Sequence, residues 1–415
     1  MSLMRLACAA LLACLALFAW TGVSSALSPR DPAYNGEWGP RLTHASDIWD
    51  RTTGDRRIVI AVLDTGVVPI PELRAALVPG WDFVEDDSTP QDTFGHGTWV
   101  ASAIAAQGNN GQFGAGYCWG CGLMPVRISD GHVAADTGVI ARAIRWAVDH
   151  GARVITISLT GQGDDPVERA AVDYATAHNV LVVASAGNTG DDEIVYPAAY
   201  PGVLSVTGTD PRDHLYKWSA RGTWIALAAP GCATVVHVVV GAAVACGSSF
   251  APPAIAGIAG LLLSLEPRIS ASRLSDVLRA TGRPVAGLLA KRVDAQAALA
   301  ALGLAKPIES PPQPQPAASA REATTVSGVM TSTRDIRFST AVAGRLEVQF
   351  VSVIARECSM QMRLNGQVIV AFRGEERILT LEAQVPRGRH RLTISCASRA
   401  RHAFELRIER PAPSK

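Results

Sequence analysis

Five short, largely apolar runs set at intervals along the chain limit what it can fold into. They are residues 57–63 (RIVIAVL), 122–128 (GLMPVRI), 153–159 (RVITISL), 179–184 (NVLVVA) and 203–207 (VLSVT). None shows the strict apolar and polar alternation of a half-exposed strand; continuous runs of this length fit strands buried on both faces of a parallel sheet. Helical patterns lie between them. Residues 139–150 carry apolar side chains at helical spacing and stop at Gly151, and residues 166–178 open on Pro166, which suits a first turn, and stop near Asn179. Strands alternating with helices imply an α/β domain whose mostly parallel sheet is flanked by helices.

The style changes towards the C-terminus. After helical patterns at 271–281 and 294–302, residues 306–323 form a proline-rich linker, extended and semi-rigid. From 324 to 415 the period is two: Leu346, Val348 and Phe350 share one face, as do Met360, Met362 and Leu364, and Asn365-Gly366 is a hairpin signal. With Leu392 and Ile394 continuing the pattern, this is expected to be a small all-β, sandwich-like domain. Its basic residues outnumber its acidic ones, and it is expected to contact either the α/β domain or an anionic surface. A formal net charge of +1 over 415 residues gives no electrostatic reason to expect nucleic acid.

Residues 1–26 read as a secretory signal: Arg5, an apolar run over 6–20, and small residues Ser24-Ser25-Ala26 before the expected cut. Export follows, to an extracellular, periplasmic or cell-surface address, with no stable membrane span once the signal is removed, since no other segment is read as crossing a bilayer. Of eight cysteines, Cys8 and Cys14 fall within the signal. Cys118, Cys121, Cys232, Cys246, Cys358 and Cys396 are expected to form disulfides in an oxidising compartment. Sequence neighbours are the natural pairs, although spacing leaves the connectivity open.

Three polar residues stand at element boundaries. Asp64 closes the first strand in LDTG, at the carboxyl end where functional groups of α/β sheets collect. His96 in GHGT precedes a helical pattern over 99–106, with glycines that let the backbone pass close to a neighbour. Ser249 in GSSFAPPAIAG opens a helix whose first-turn prolines lose no hydrogen bond. Unpaired N–H groups and the positive helix end there stabilise negative charge beside Ser249. Each residue alone reads as a cap, a turn or a structural histidine; the order Asp, His, Ser in one domain is that of one convergent serine triad.

With VLDTGV, GHGT, VVASAGN and GSSFAPPAIAG in order, residues 31–265 resemble the subtilisin-like serine peptidases, most closely the thermitase-like branch. The resemblance implies a peptidase domain over 27–305 that cleaves extended polypeptides without a catalytic cofactor. Ser249 would be the nucleophile, His96 the general base and acid, Asp64 the orienting carboxylate, and Asn188 an oxyanion donor beside the Ser249 N–H. Ser158, Leu159, Thr160 and Gly161 would be one substrate-pairing edge and Val133, Ala134 and Ala135 the other. Thr160 and the 133–135 stretch differ from the smaller residues usual in the family, and Trp99, Ser248 and Phe250 also depart from it. The loop WDFVEDDSTPQ resembles a thermitase-like site for structural calcium, implying Asp82, Asp87, Thr89 and Gln91 as ligands, with Asp31, Glu72 and Asn110 as a second set. Only a short tail separates Leu27 from a domain start near Trp38, so the domain is expected to fold without a propeptide, unaided or with its C-terminal partner. A different reading is a catalytically weak binding or scaffold protein on the same fold; an esterase is disfavoured because no nucleophile elbow is present.

Overall fold

The computed structural model describes residues 27–132, 135–237 and 241–304, followed by strands between 321 and 411. Strands β1 (Val59–Asp64), β2 (Trp81–Asp82), β3 (Gly122–Arg127), β4 (Ala152–Ile157), β5 (Leu181–Ser185), β6 (Val203–Thr209) and β7 (Leu227–Pro230) run parallel in one sheet. After the hairpin β8 (Cys232–His237) and β9 (Gly241–Cys246), β10 (Arg283–Pro284) and β11 (Lys291–Arg292) complete the sheet in the order β10-β11-β7-β6-β5-β4-β1-β3-β2. All five expected strands are present, displaced by a residue or two at their ends. The sequence reading missed β2, β10 and β11, of two residues each, and also β7 and the β8–β9 hairpin, although Pro230-Gly231 marks a turn between β7 and β8.

Continuous apolar runs are needed because both faces are covered. Along β1, Ile60 and Val62 enter one core while Ala61 and Leu63 enter the other. Helices α1 (His96–Ala105), α4 (Ala251–Leu265) and α5 (Ala271–Thr281) pack in the first core with α6 (Ala295–Ala301). Helices α2 (Thr137–Asp149) and α3 (Pro166–Ala177) cover the second. Caps fix where several begin: Asp136 accepts the N–H groups of Gly138 and Val139, and Asp165 those of Val167 and Glu168. Each such cap contributes about 1 kcal/mol.

Residues 248–265 are apolar and long enough to cross a membrane by length and composition, but they are buried inside the protein. Two glycines explain how α4 packs so closely. A Cβ on Gly257 would lie 2.3 Å from the Tyr117 Cβ, and one on Gly260 would lie 2.7 Å from Cys121 Sγ.

Beyond the linker stretch, strands β12 (Arg321–Met330), β13 (Thr333–Thr340), β14 (Gly344–Val353), β15 (Ser359–Leu364), β16 (Gln367–Arg373), β17 (Ile378–Val385), β18 (Gly388–Cys396) and β19 (His402–Pro411) form two four-stranded antiparallel sheets. Their orders are β12-β19-β14-β17 and β13-β18-β15-β16. Strand β12 opens inside the stretch expected as linker. Leu364 lies opposite Gln367 across the turn at Asn365, where the hairpin signal stood.

Candidate active site

Strand β1 delivers Asp64 to its carboxyl end, and α1 begins with His96. The Asp64 Oδ1 lies 2.7 Å from His96 Nδ1 and also accepts the Thr65 N–H at 2.7 Å. Both side chains are buried. A carboxylate only accepts, so the bond places a proton on Nδ1 and leaves Nε2 as the basic nitrogen of a neutral ring. The glycines flanking the histidine have separate reasons. Gly95 precedes the helix at φ 111°, and a Cβ on Gly97 would sit 2.1 Å from the Gly66 carbonyl oxygen.

One residue that sequence reasoning passed over organises this corner. Asp92 Oδ1 accepts hydrogen bonds from Thr65 Oγ1 (2.9 Å), Phe94 N (2.9 Å) and Gly95 N (2.7 Å). Its Oδ2 takes Thr98 N (2.8 Å) and Thr98 Oγ1 (2.5 Å). Thr65 Oγ1 in turn accepts the Gly97 N–H at 2.8 Å. Asp92 therefore ties the turn after Asp64 to the helix that starts with His96. The available signal was an aspartate shortly before a helix start, the usual preference of a cap.

Ser249 lies in a tight turn, Ser248–Phe250, that runs straight into α4, with Pro252 and Pro253 in the first turn of that helix. The Ser158 hydroxyl donates to the Ser249 carbonyl at 2.7 Å, and the Ser249 hydroxyl donates to the Ser158 carbonyl at 3.1 Å. The ring of Phe250, next in the chain, lies 6.1 Å from the His96 ring. Asn188, in the turn after β5, accepts the Ser248 N–H on Oδ1 at 2.7 Å, which leaves its Nδ2 as a donor. A carboxylate, an imidazole, a hydroxyl at a helix start and an amide thus come from four separate stretches of chain, at the carboxyl ends of β1, β4 and β5.

The family model described as the subtilase family matches residues 55–302. The chain belongs to the subtilase family. It is a subtilisin-like serine endopeptidase, similar to the thermitase of Thermoactinomyces vulgaris (36% identical over 263 residues, covering 63% of this chain and 93% of that one). It is also similar to a thermophilic serine proteinase of Bacillus sp. strain AK1, at 37% identity over 268 residues, 62% of this chain and 67% of the relative. Among solved structures it resembles a protease from Pseudoalteromonas arctica, with a TM-score of 0.59, 27% identity, and coverage of 66% of this chain and 99% of that one.

In this subtilase the expected substrate edge is only partly free. Gly161 pairs with Tyr196 through both backbone groups, at 2.8 and 2.9 Å. Ser158 is engaged with Ser249 as above, Leu159 is half-buried and Thr160 is exposed. On the opposite side Ala135 is half-buried, while Val133 and Ala134 lie outside the described residues. Trp99 is turned towards the β8–β9 hairpin, where it packs in a small cluster with Val235, Ala243, Ala245 and Phe250. The substitutions of Trp99 and Phe250 thus serve one patch.

Cys118 is bonded to Cys121, and Cys232 to Cys246, as neighbour pairing anticipates. The second bond closes the β8–β9 hairpin just ahead of Gly247. Cys358 lies outside the described residues, and so the pairing expected for Cys358 and Cys396 does too.

The expected calcium loop is built of oxygen donors, as a hard cation requires. Asp87, Thr89 and Gln91 are exposed, and Asp87 Oδ1 accepts the Thr89 N–H. Asp82 differs. It is buried, its Oδ2 pairs with Arg127 Nη1 at 2.8 Å, and its Oδ1 takes the Val84 and Glu85 N–H groups at 2.8 and 3.0 Å. Of the second set, Asp31 accepts backbone N–H groups of Asn109, Asn110 and Gly111, and Asn110 Nδ2 donates to Glu72 Oε2 at 2.9 Å. Burial pushes the Glu72 carboxyl above its usual range, with Asp31 adding to the shift. Among the described residues, no group of three or more His, Cys, Asp or Glu side chains is placed to hold a metal ion.

Proposed function

We propose that the chain is an exported endopeptidase that hydrolyses peptide bonds through an acyl-enzyme on Ser249. The observation that carries this reading is the buried 2.7 Å contact between Asp64 and His96, beside the turn that holds Ser249. His96 Nε2 takes the Ser249 proton as Oγ bonds to the substrate carbonyl carbon. Negative charge on the carbonyl oxygen then falls between the Ser249 N–H and Asn188 Nδ2, at the positive end of α4. The imidazolium, stabilised by Asp64, returns its proton to the departing amine as the C–N bond breaks. A water activated by the same nitrogen then releases the acid and restores the serine.

The resting hydroxyl donates to the Ser158 carbonyl, so its proton has to turn towards His96 about the Cβ–Oγ bond before attack, a freely rotating torsion for a hydroxyl. Within this reading residues 1–26 are the export signal, 27–305 the peptidase domain, 306–323 the linker and 324–415 the β-domain. Structural calcium belongs to the same reading, with Asp82, Asp87, Thr89 and Gln91 as ligands, Asp82 having one oxygen already paired with Arg127 and the other with the Val84 and Glu85 N–H groups. Substrates are extended polypeptides lying along Leu159 and Thr160.

A fluorophosphonate probe tests the assignment. Wild-type protein should be labelled in seconds to minutes, and Ser249→Ala should not be labelled at all. Absence of labelling in folded wild type would favour the scaffold alternative.

A further inference from the structure

Asparagine amides turn about a broad, roughly two-fold torsion, so an amide that must aim one N–H needs an external anchor. In this chain the anchor on Asn188 is the Ser248 N–H, 2.7 Å from Oδ1. Ser248 is itself held. Its hydroxyl lies 2.6 Å from that of Ser185, and both side chains are buried to 1% exposure. Ser185 is the last residue of β5, and the N–H of Gly187 reaches its oxygen at 3.4 Å. The hydroxyl of Ser185 therefore joins the turn that carries Asn188 to the turn that carries Ser249. Two hydrogen bonds cross between these turns, one through side-chain hydroxyls and one through the amide.

We propose that Ser185 is a positioning residue for the oxyanion donor: it holds Ser248 in place and so keeps Asn188 Nδ2 aimed at the developing charge. This rests on the assignment of Asn188 as that donor. Oxyanion donors act only when they stand about 2.7–3.1 Å from the charge, so a small relaxation of Ser248 would be felt in the transition state and hardly in substrate binding.

The test uses the full chain, a p-nitroanilide peptide that the wild type hydrolyses, and active-site titration to count competent enzyme. Ser185→Ala is expected to lower kcat about five- to tenfold with KM within about twofold. In an Asn188→Ala background the same substitution should have no further effect, because there is no amide left to aim. An equal loss in both backgrounds, a loss appearing in KM, or an unchanged kcat would each overturn the proposal. A full rate in Asn188→Ala alone would instead remove the oxyanion assignment on which it rests, a distinguishable outcome. Should Ser185→Ala not accumulate as folded protein, Ser248→Ala keeps the main-chain N–H while deleting the other hydroxyl. It should show the same kcat loss and the same lack of additivity with Asn188→Ala; a loss that persists in that background overturns the proposal.

Discussion

At the scale of single residues, position in the chain says little until partners are known. Asn188 is a turn residue by sequence and was chosen only because VVASAGN resembles a family block; its structural partner, Ser248 N–H, is what gives it an orientation. Replacing it with alanine should reduce kcat about a hundredfold, near 3 kcal/mol of transition-state stabilisation, with KM little changed, measurable by steady-state kinetics. Asp92 was legible only as a local cap: four of its five donors lie within six residues of it, and the fold alone brings the fifth, Thr65 Oγ1, from 27 residues away.

Glu168 offers a test in pH. It is buried on the first turn of α3, accepts a hydrogen bond from Tyr200 at 3.1 Å, and burial pushes its carboxyl up to about 7. Between the ordinary value of 4.5 and about 7 the folded state holds a proton that the unfolded state has released, so this group's contribution to stability falls as pH rises through that window. Glu168→Gln keeps the neutral shape. The variant's melting temperature should drop less than the wild type's between about pH 5 and about pH 8, as followed by circular dichroism.

At the scale of elements, strands were legible because burial on both faces forces continuous apolar runs, and helices because their caps and stops are local. The β8–β9 hairpin was not, since small residues such as those of GAAVAC favour no particular element and the pairing is fixed by a disulfide and by packing against Trp99. The loop over 81–91 shows a limit of motif reading. The family resemblance implies four ligands there, and one of them, Asp82, also forms a buried ion pair with Arg127 on the neighbouring β3. Calcium on the remaining exposed donors should still fasten the loop. A chelator is expected to lower the melting temperature and calcium to restore it, by scanning calorimetry, with an indifferent transition counting against the ion.

At the scale of the whole molecule, the two large cores among the described residues are built from positions within 27–304. Each buried aliphatic side chain there contributes about 1.5–3 kcal/mol on leaving water, and among the residues whose side chains are described none in these cores comes from β12 to β19. Residues 27–305 produced alone should therefore melt cooperatively and react with the fluorophosphonate probe; loss of the cooperative transition would assign a folding role to the C-terminal sheets. Fold class was readable in advance because alternating strands and helices admit few architectures, and the family because four blocks occur in order. The pairing of Gly161 with Tyr196 had no counterpart in the sequence pattern, since it joins residues 35 positions apart.

Through Asp92, carboxylate and imidazole are fastened to each other, while a separate turn delivers the hydroxyl. Loosening that fastening, as Asp92→Asn would, should therefore disturb the acid–base pair before it disturbs the delivery of the hydroxyl.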